Sequence, residues 1–139
     1  MNRFFSASPL WQNNGLALIR IIVGLALIYH GCEMFNTTTM NKYFKWDMFK
    51  DSSLARIFVY AGKVAELVSG ILFLIGLFTR AACIILIFTL AYIAFFVGHG
   101  KIWYEDQYPF LFVLIGFIFF FTGPGAFSAD NVLFKNKTD

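Results

Sequence analysis

An acid stands inside an apolar run: Glu66, in VAELVSGILFLIGLF. If that run crosses a bilayer, the carboxyl lies far from either water interface, where a charge costs about 2.5–3.5 kcal/mol on insertion scales. A chain keeps such a group when it is protonated, paired or lining a polar cavity. His30 holds a comparable place in an earlier apolar run, GLALIRIIVGLALIYHGCEMF. On helices, Lys63 lies one turn from Glu66 and on its face, and Glu33 lies one turn from His30. His99 and Glu105 follow a third apolar run. Imidazoles beside carboxylates form a proton-handling group, because histidine changes charge near neutral pH. The pair expected to do chemistry is His30 with Glu66. Lys63, His99, Glu105 and Arg20 are the expected ligand contacts. The competing reading is a set of ion pairs that only holds helices together, and for His99 and Glu105 simple solvation.

Arg80, Ser128 and Asp130 form a second polar group, with Arg20 one turn into the first run. Arg80 and Asp130 are expected to pair at the surface, a structural contact worth under ~1 kcal/mol. Arg20 either snorkels to water or points inward toward an anionic group.

The elements that position these residues follow from composition. Of 139 residues, 59% are hydrophobic and only 14% charged, with a mean hydropathy of +0.69. A soluble domain this small leaves much of its area in water and cannot hide so much apolar surface. The lipid bilayer is the matching solvent, and helices satisfy their backbones within it. Four segments are long enough to cross: about 15–35, 57–78, 81–98 and 109–127. The expected fold is therefore all-α: four transmembrane helices in an up-down antiparallel bundle, a single domain over residues 1–139. Thr79–Arg80 leaves a tight hairpin between the second and third spans, and Gly123–Pro124–Gly125 breaks or ends the fourth. Between the first two spans, NKYFKWDMFK mixes aromatics with lysines. That mixture suits either an interfacial helix at headgroup level or a solvated loop with anchoring aromatics.

We call the side bearing both termini side A and the other side B. Arg3, Arg80, Lys135 and Lys137 flank side A, while Lys42, Lys45, Lys50, Arg56 and Lys101 flank side B. So even a balance leaves orientation undecided by the positive-inside rule.

Depth follows from the helical rise of ~1.5 Å per residue. From side A, His30 lies roughly 21 Å up, Glu66 about 18 Å and His99 about 27 Å. The polar groups thus gather in the side-B half, with His30 and Glu66 nearly level. Gly62, Glu66 and Gly70 form one stripe; Arg20, Gly24, Leu27 and Gly31 form another. Small residues let membrane helices approach closely, and a gap beside glycine would also admit a flat ring.

Several chemistries are disfavoured. Cys32 and Cys83 fall near opposite sides, roughly 25 Å apart across the hydrocarbon, too far for a disulfide. The depth offset of His30 and His99 suits bis-histidine haem poorly. No metal-site, P-loop or dinucleotide motif occurs. The scattered basic residues lack the clustered face that nucleic acid needs.

ALIRIIVGLALIYHG, KVAELVSGILFLIGLFTRAA and TGPGAFSAD together resemble the DoxX family of small bacterial membrane proteins. The positions that carry the resemblance are Arg20, Gly24, His30, Gly31, Glu66, Gly70, Gly76, Thr79, Arg80, Gly123, Gly125, Ser128 and Asp130. Where that pattern often has lysine, two residues after the His–Gly pair, this chain has Glu33. The resemblance implies a multi-pass protein of the bacterial inner membrane, set among redox partners. The leading expectation is a subunit that binds a quinone or quinol at His30 and Glu66 and works with an electron-donating partner protein. The alternatives are a non-catalytic anchor or assembly factor and a carrier of a small solute or lipid. Homo-oligomerisation is left open.

Overall fold

Each of the four apolar blocks is helical in the computed structural model, which describes residues 7–50 and 53–134. Arg3, Lys135 and Lys137 from the orientation count lie outside the described residues. Helix α1 spans Gln12–Cys32 and tightens into a 3-10 turn, Glu33–Phe35; a short α2 follows at Thr37–Tyr43. Helix α3 spans Ala55–Ile75 and α4 Thr79–Tyr92, the latter continued by a π-helical turn, Ile93–Val97. Helix α5 is Gln107–Thr122 and α6 Ala129–Leu133. Among the described residues there is no strand.

Among the described residues, three helical stretches are long and apolar enough to cross a membrane: Gln12–Phe35, Ala55–Ile75 and Thr79–Val97. Helix α5 is a shorter apolar helix of 16 residues. It ends five residues before the expected 127, because Gly123 adopts φ 81° and Pro124 cannot continue a helix. The second span likewise ends at Ile75 rather than Phe78. There Gly76 takes the left-handed conformation, and Leu77 N–H bonds back to the Leu72 carbonyl at 3.0 Å.

Outward-facing residues on these helices are as apolar as the buried ones. Leu18, Ile22 and Leu25 on α1, Phe88 on α4 and Phe117 and Phe121 on α5 are all exposed. In water so much exposed apolar area is a liability; against acyl chains it is neutral.

Helix α1 packs mainly on α3, α3 also on α4, and α4 on α5. Their shared core joins Val23 and Leu27 to Phe73, Ala82, Cys83, Leu86, Leu90, Phe112 and Phe119. Phe73 and Phe119 meet edge to face, centroids 5.4 Å apart. Glycine sets the register of α1 on α3. A Cβ on Gly24 would strike the Leu74 backbone, one on Gly70 the Ile28 nitrogen, and one on Gly31 the Leu67 backbone. The antiparallel pairing puts His30 and Glu66 within about one turn of the same height, close to the level expected from the sequence. Gly62 differs: nothing lies within 4 Å of its would-be Cβ.

The segment between α1 and α3 is neither a free loop nor one long helix. Asn36 caps α2 by accepting Thr39 N–H at 3.2 Å. Met40 and Phe49 then bury against Ala55 and Val59, folding the segment over the side-B end of α3. Trp46 and Lys45 stay exposed.

The glycine register makes a prediction. Gly31→Val should lower the thermal stability of the detergent-purified protein by the ~1–3 kcal/mol typical of overpacking. Gly62→Ala should be neutral or stabilising, because it removes a helical glycine where space is open. Equal melting temperatures for the two variants would show that α1 and α3 do not meet as described.

Candidate functional site

Lys63 on α3 is the hub of the side-B cluster. Its ammonium donates to Glu33 Oε2 at 2.8 Å and to Glu66 Oε2 at 3.0 Å. It also sits over the Tyr43 ring, 4.6 Å from the centroid, a cation–π contact. Tyr43 donates its hydroxyl to the same Glu33 oxygen at 2.6 Å. Burial, with help from that bond, pushes the Tyr43 hydroxyl above the ordinary tyrosine range, so it stays a donor. His30 Nδ1 lies 3.6 Å from Glu33 Oε1. Lys63 and Glu66 are both buried, at 8% and 7% exposure.

Local structure explains the convergence. Lys63 and Glu66 are three apart on α3 and share a face. The 3-10 turn at the end of α1 brings Glu33 onto Lys63. The fold-back of α2 delivers Tyr43. With both carboxyls ionised, these side chains hold one cation against two anions. The His30 imidazole stands beside this pair, on the far oxygen of Glu33.

The cluster forms one wall of a cleft of about 960 Å³ between α3 and α4. His30, Tyr43, Lys63 and Glu66 supply its polar interior, Tyr108 stands half-exposed at its edge, and Phe58, Phe88 and Tyr92 form much of its apolar wall. The His30 and Tyr108 rings stand 5.0 Å apart. His99 and Glu105 line the same cleft but are exposed at its rim, where Glu105 pairs with Lys101 at 3.2 Å.

Arg20 lies elsewhere, about 15 Å along α1 from His30. It does not snorkel. Its side chain is fully buried, and Nη2 donates to the Phe127 carbonyl at 2.9 Å. A Cβ on Gly76 would overlap the guanidinium, so only glycine fits there. Arg20 Nε and Nη1 and Thr79 Oγ1 are buried without a hydrogen-bond partner among the described residues.

The expected Arg80–Asp130 pair is not formed, and Arg80 is exposed. Asp130 instead accepts the Phe78 and Thr79 N–H groups at 2.6 and 2.9 Å. Those orphan donors at the start of α4 hold the carboxylate better than a surface arginine does. Ser128 caps α6 by accepting Asn131 N–H at 3.2 Å, and Ala126 N–H bonds Asn13 at 2.9 Å. Arg20, Asp130 and the Ala126 N–H thus latch the chain after α5 onto α1 and the α3–α4 hairpin.

The DoxX family model matches residues 15–99, more than half of the chain. The chain belongs to the DoxX family. It is also similar to an uncharacterised protein of Haemophilus influenzae, 34% identical over 127 residues, covering 86% of this chain and 91% of that protein. No solved structure matches. This DoxX protein is thus a membrane protein whose matched stretch contains His30, Lys63, Glu66 and His99, while Glu105, Tyr108, Ser128 and Asp130 lie beyond it. Beside Glu33, the cation comes from α3. Sequence reasoning did not single out Tyr43 as a partner of Glu33 and Lys63. Its only signal was membership of the aromatic–lysine segment.

Lys63→Met strands two carboxylates and should cost about 3–5 kcal/mol, the usual result of removing one member of a buried ion pair. Adding Glu66→Gln should restore much of that loss. A melting-temperature cycle over the two single variants and the double variant measures the coupling. Additive losses would mean that Lys63 and Glu66 do not interact.

Proposed function

We propose that this protein is a multi-pass subunit of the bacterial inner membrane, its α1, α3, α4 and α5 forming a four-helix transmembrane bundle. In this reading the side-B cleft binds the ring of a quinone-type ligand. The observation that carries it is the meeting of His30, Lys63, Glu66 and Tyr108 in one cleft bordered by apolar side chains. Its volume of about 960 Å³ is at the upper end of the ~300–1,000 Å³ common for small-molecule sites.

A quinone is reduced by two electrons and two protons. The electrons come from a partner protein at the membrane surface, and this chain's residues supply the rest. Lys63 and the Tyr108 hydroxyl donate hydrogen bonds to ring oxygens. His30 and Glu66 carry protons to the ring and are replenished from the wet rim at His99 and Glu105. The apolar walls exclude bulk water and hold the ring plane.

A second reading has support in the same cluster. Lys63 is already satisfied by two carboxylates and an aromatic face, as a purely structural lock in an anchor or assembly factor would be. The two readings separate in Glu66→Gln, which keeps size and hydrogen bonding but loses the exchangeable proton. The variant in nanodiscs should fold, with a melting temperature near wild type. Quinone titration, followed by ring absorbance or tyrosine quenching, should then weaken at least tenfold. Undiminished affinity in Glu66→Gln, or no binding by wild type, would favour the anchor.

A further inference from the structure

The cleft does not end at the polar cluster. On α3, Lys63 and Glu66 form its inner wall, while Phe58, Ala61 and Gly62 continue it around the helix to the exterior. Phe88 and Tyr92 of α4 face them across the gap. Phe58 is 50% exposed and Phe88 73%. These exposed apolar side chains lie on helices long enough to cross a membrane, so this side of the cleft suits acyl chains, while Lys45, Asp47, His99 and Glu105 make its other edge polar.

The opening has a structural cause. At side A the three-residue turn Gly76–Phe78 ties α3 to α4, and Phe73, Ala82 and Cys83 fill the space between them without residual exposure. Toward side B that filling stops at Gly62, which offers no side chain and has nothing within 4 Å of its would-be Cβ. Beyond Tyr92 the α-helix widens into the π-turn, whose Ile93 and Val97 line the cleft. The cavity is larger than one ring fills, and its side along Phe58, Phe88 and Tyr92 is apolar.

We infer that the ligand is an amphiphile that enters sideways from the lipid, with its ring at Lys63 and Glu66 and a long apolar tail leaving between α3 and α4 across Gly62. This rests on the ring-binding reading above and adds a tail-binding subsite with Gly62 as its floor. Gly62, Ala61 and Phe58 then select for a tail, and the polar cluster selects for the head.

Gly62 suits the test, because a Cβ there meets nothing within 4 Å. Wild type and Gly62→Phe, each in nanodiscs, are titrated with a tailless benzoquinone and with the same ring bearing a decyl chain. In wild type the decyl compound should bind at least tenfold more tightly than the tailless one. Gly62→Phe should remove most of that advantage while leaving tailless affinity within about twofold. Gly62→Leu, a smaller obstruction, should fall between them and guards against misfolding of the larger variant. If wild type binds both rings and Gly62→Phe keeps the tail advantage, the lateral subsite is wrong and the ring site stands. If both compounds weaken equally in both variants, Gly62 supports the ring and not the tail. If wild type binds neither compound, the ring-binding reading fails and the subsite with it.

Discussion

One ammonium in an apolar bundle constrains the rest of this structure. Lys63 cannot stay charged among helices this hydrophobic without counter-charge. It takes Glu66 from its own helix, Glu33 from the end of α1 and the face of Tyr43 from α2. Three separate elements are thereby tied to one point. The arrangement also overshoots, with two carboxylates against one ammonium, which brings His30 into the balance. The same charge count that ties the helices together also sets an imidazole beside the carboxylates, the arrangement on which the proposed function rests.

The two ends of the bundle solve opposite problems. At side A, Arg20 and Asp130 draw the chain after α5 against α1 and the start of α4; Gly76 leaves room for the Arg20 guanidinium, and Gly125 lets its backbone meet α1. That end is closed. At side B, α3 and α4 part, the π-turn widens the gap and Gly62 leaves it unfilled. Close contact at one end leaves room at the other. The glycines divide accordingly: Gly24, Gly31 and Gly70 serve helix contact, and Gly62 serves the cavity.

Much of this was legible in the sequence because helical geometry is regular. The helical rise alone put His30 and Glu66 at similar heights, and the spacing of Lys63 and Glu66 put them on one face. The four apolar blocks could be found by counting, although two of them stop short where Gly76 and Gly123 turn the chain. What stayed hidden depended on irregular backbone. Tyr43 reaches Glu33 only because α2 folds back, and no periodicity encodes that return. Asp130 serves backbone N–H groups rather than Arg80, because the orphan donors of α4 appear only once the hairpin is drawn. The glycine stripes looked alike as sequence; only the neighbour across the gap separates a contact glycine from one that floors a cleft.

The proposed occupant of the side-B cleft is a ring-bearing amphiphile held against Lys63 and Glu66. The most direct measurement is mass spectrometry of the small molecules extracted from protein purified gently from its own membrane. A tailed quinone approaching one per chain is expected, strongly depleted when Glu66→Gln is purified in parallel. Ordinary bilayer lipids in bulk proportion, identical in wild type and variant, would contradict it.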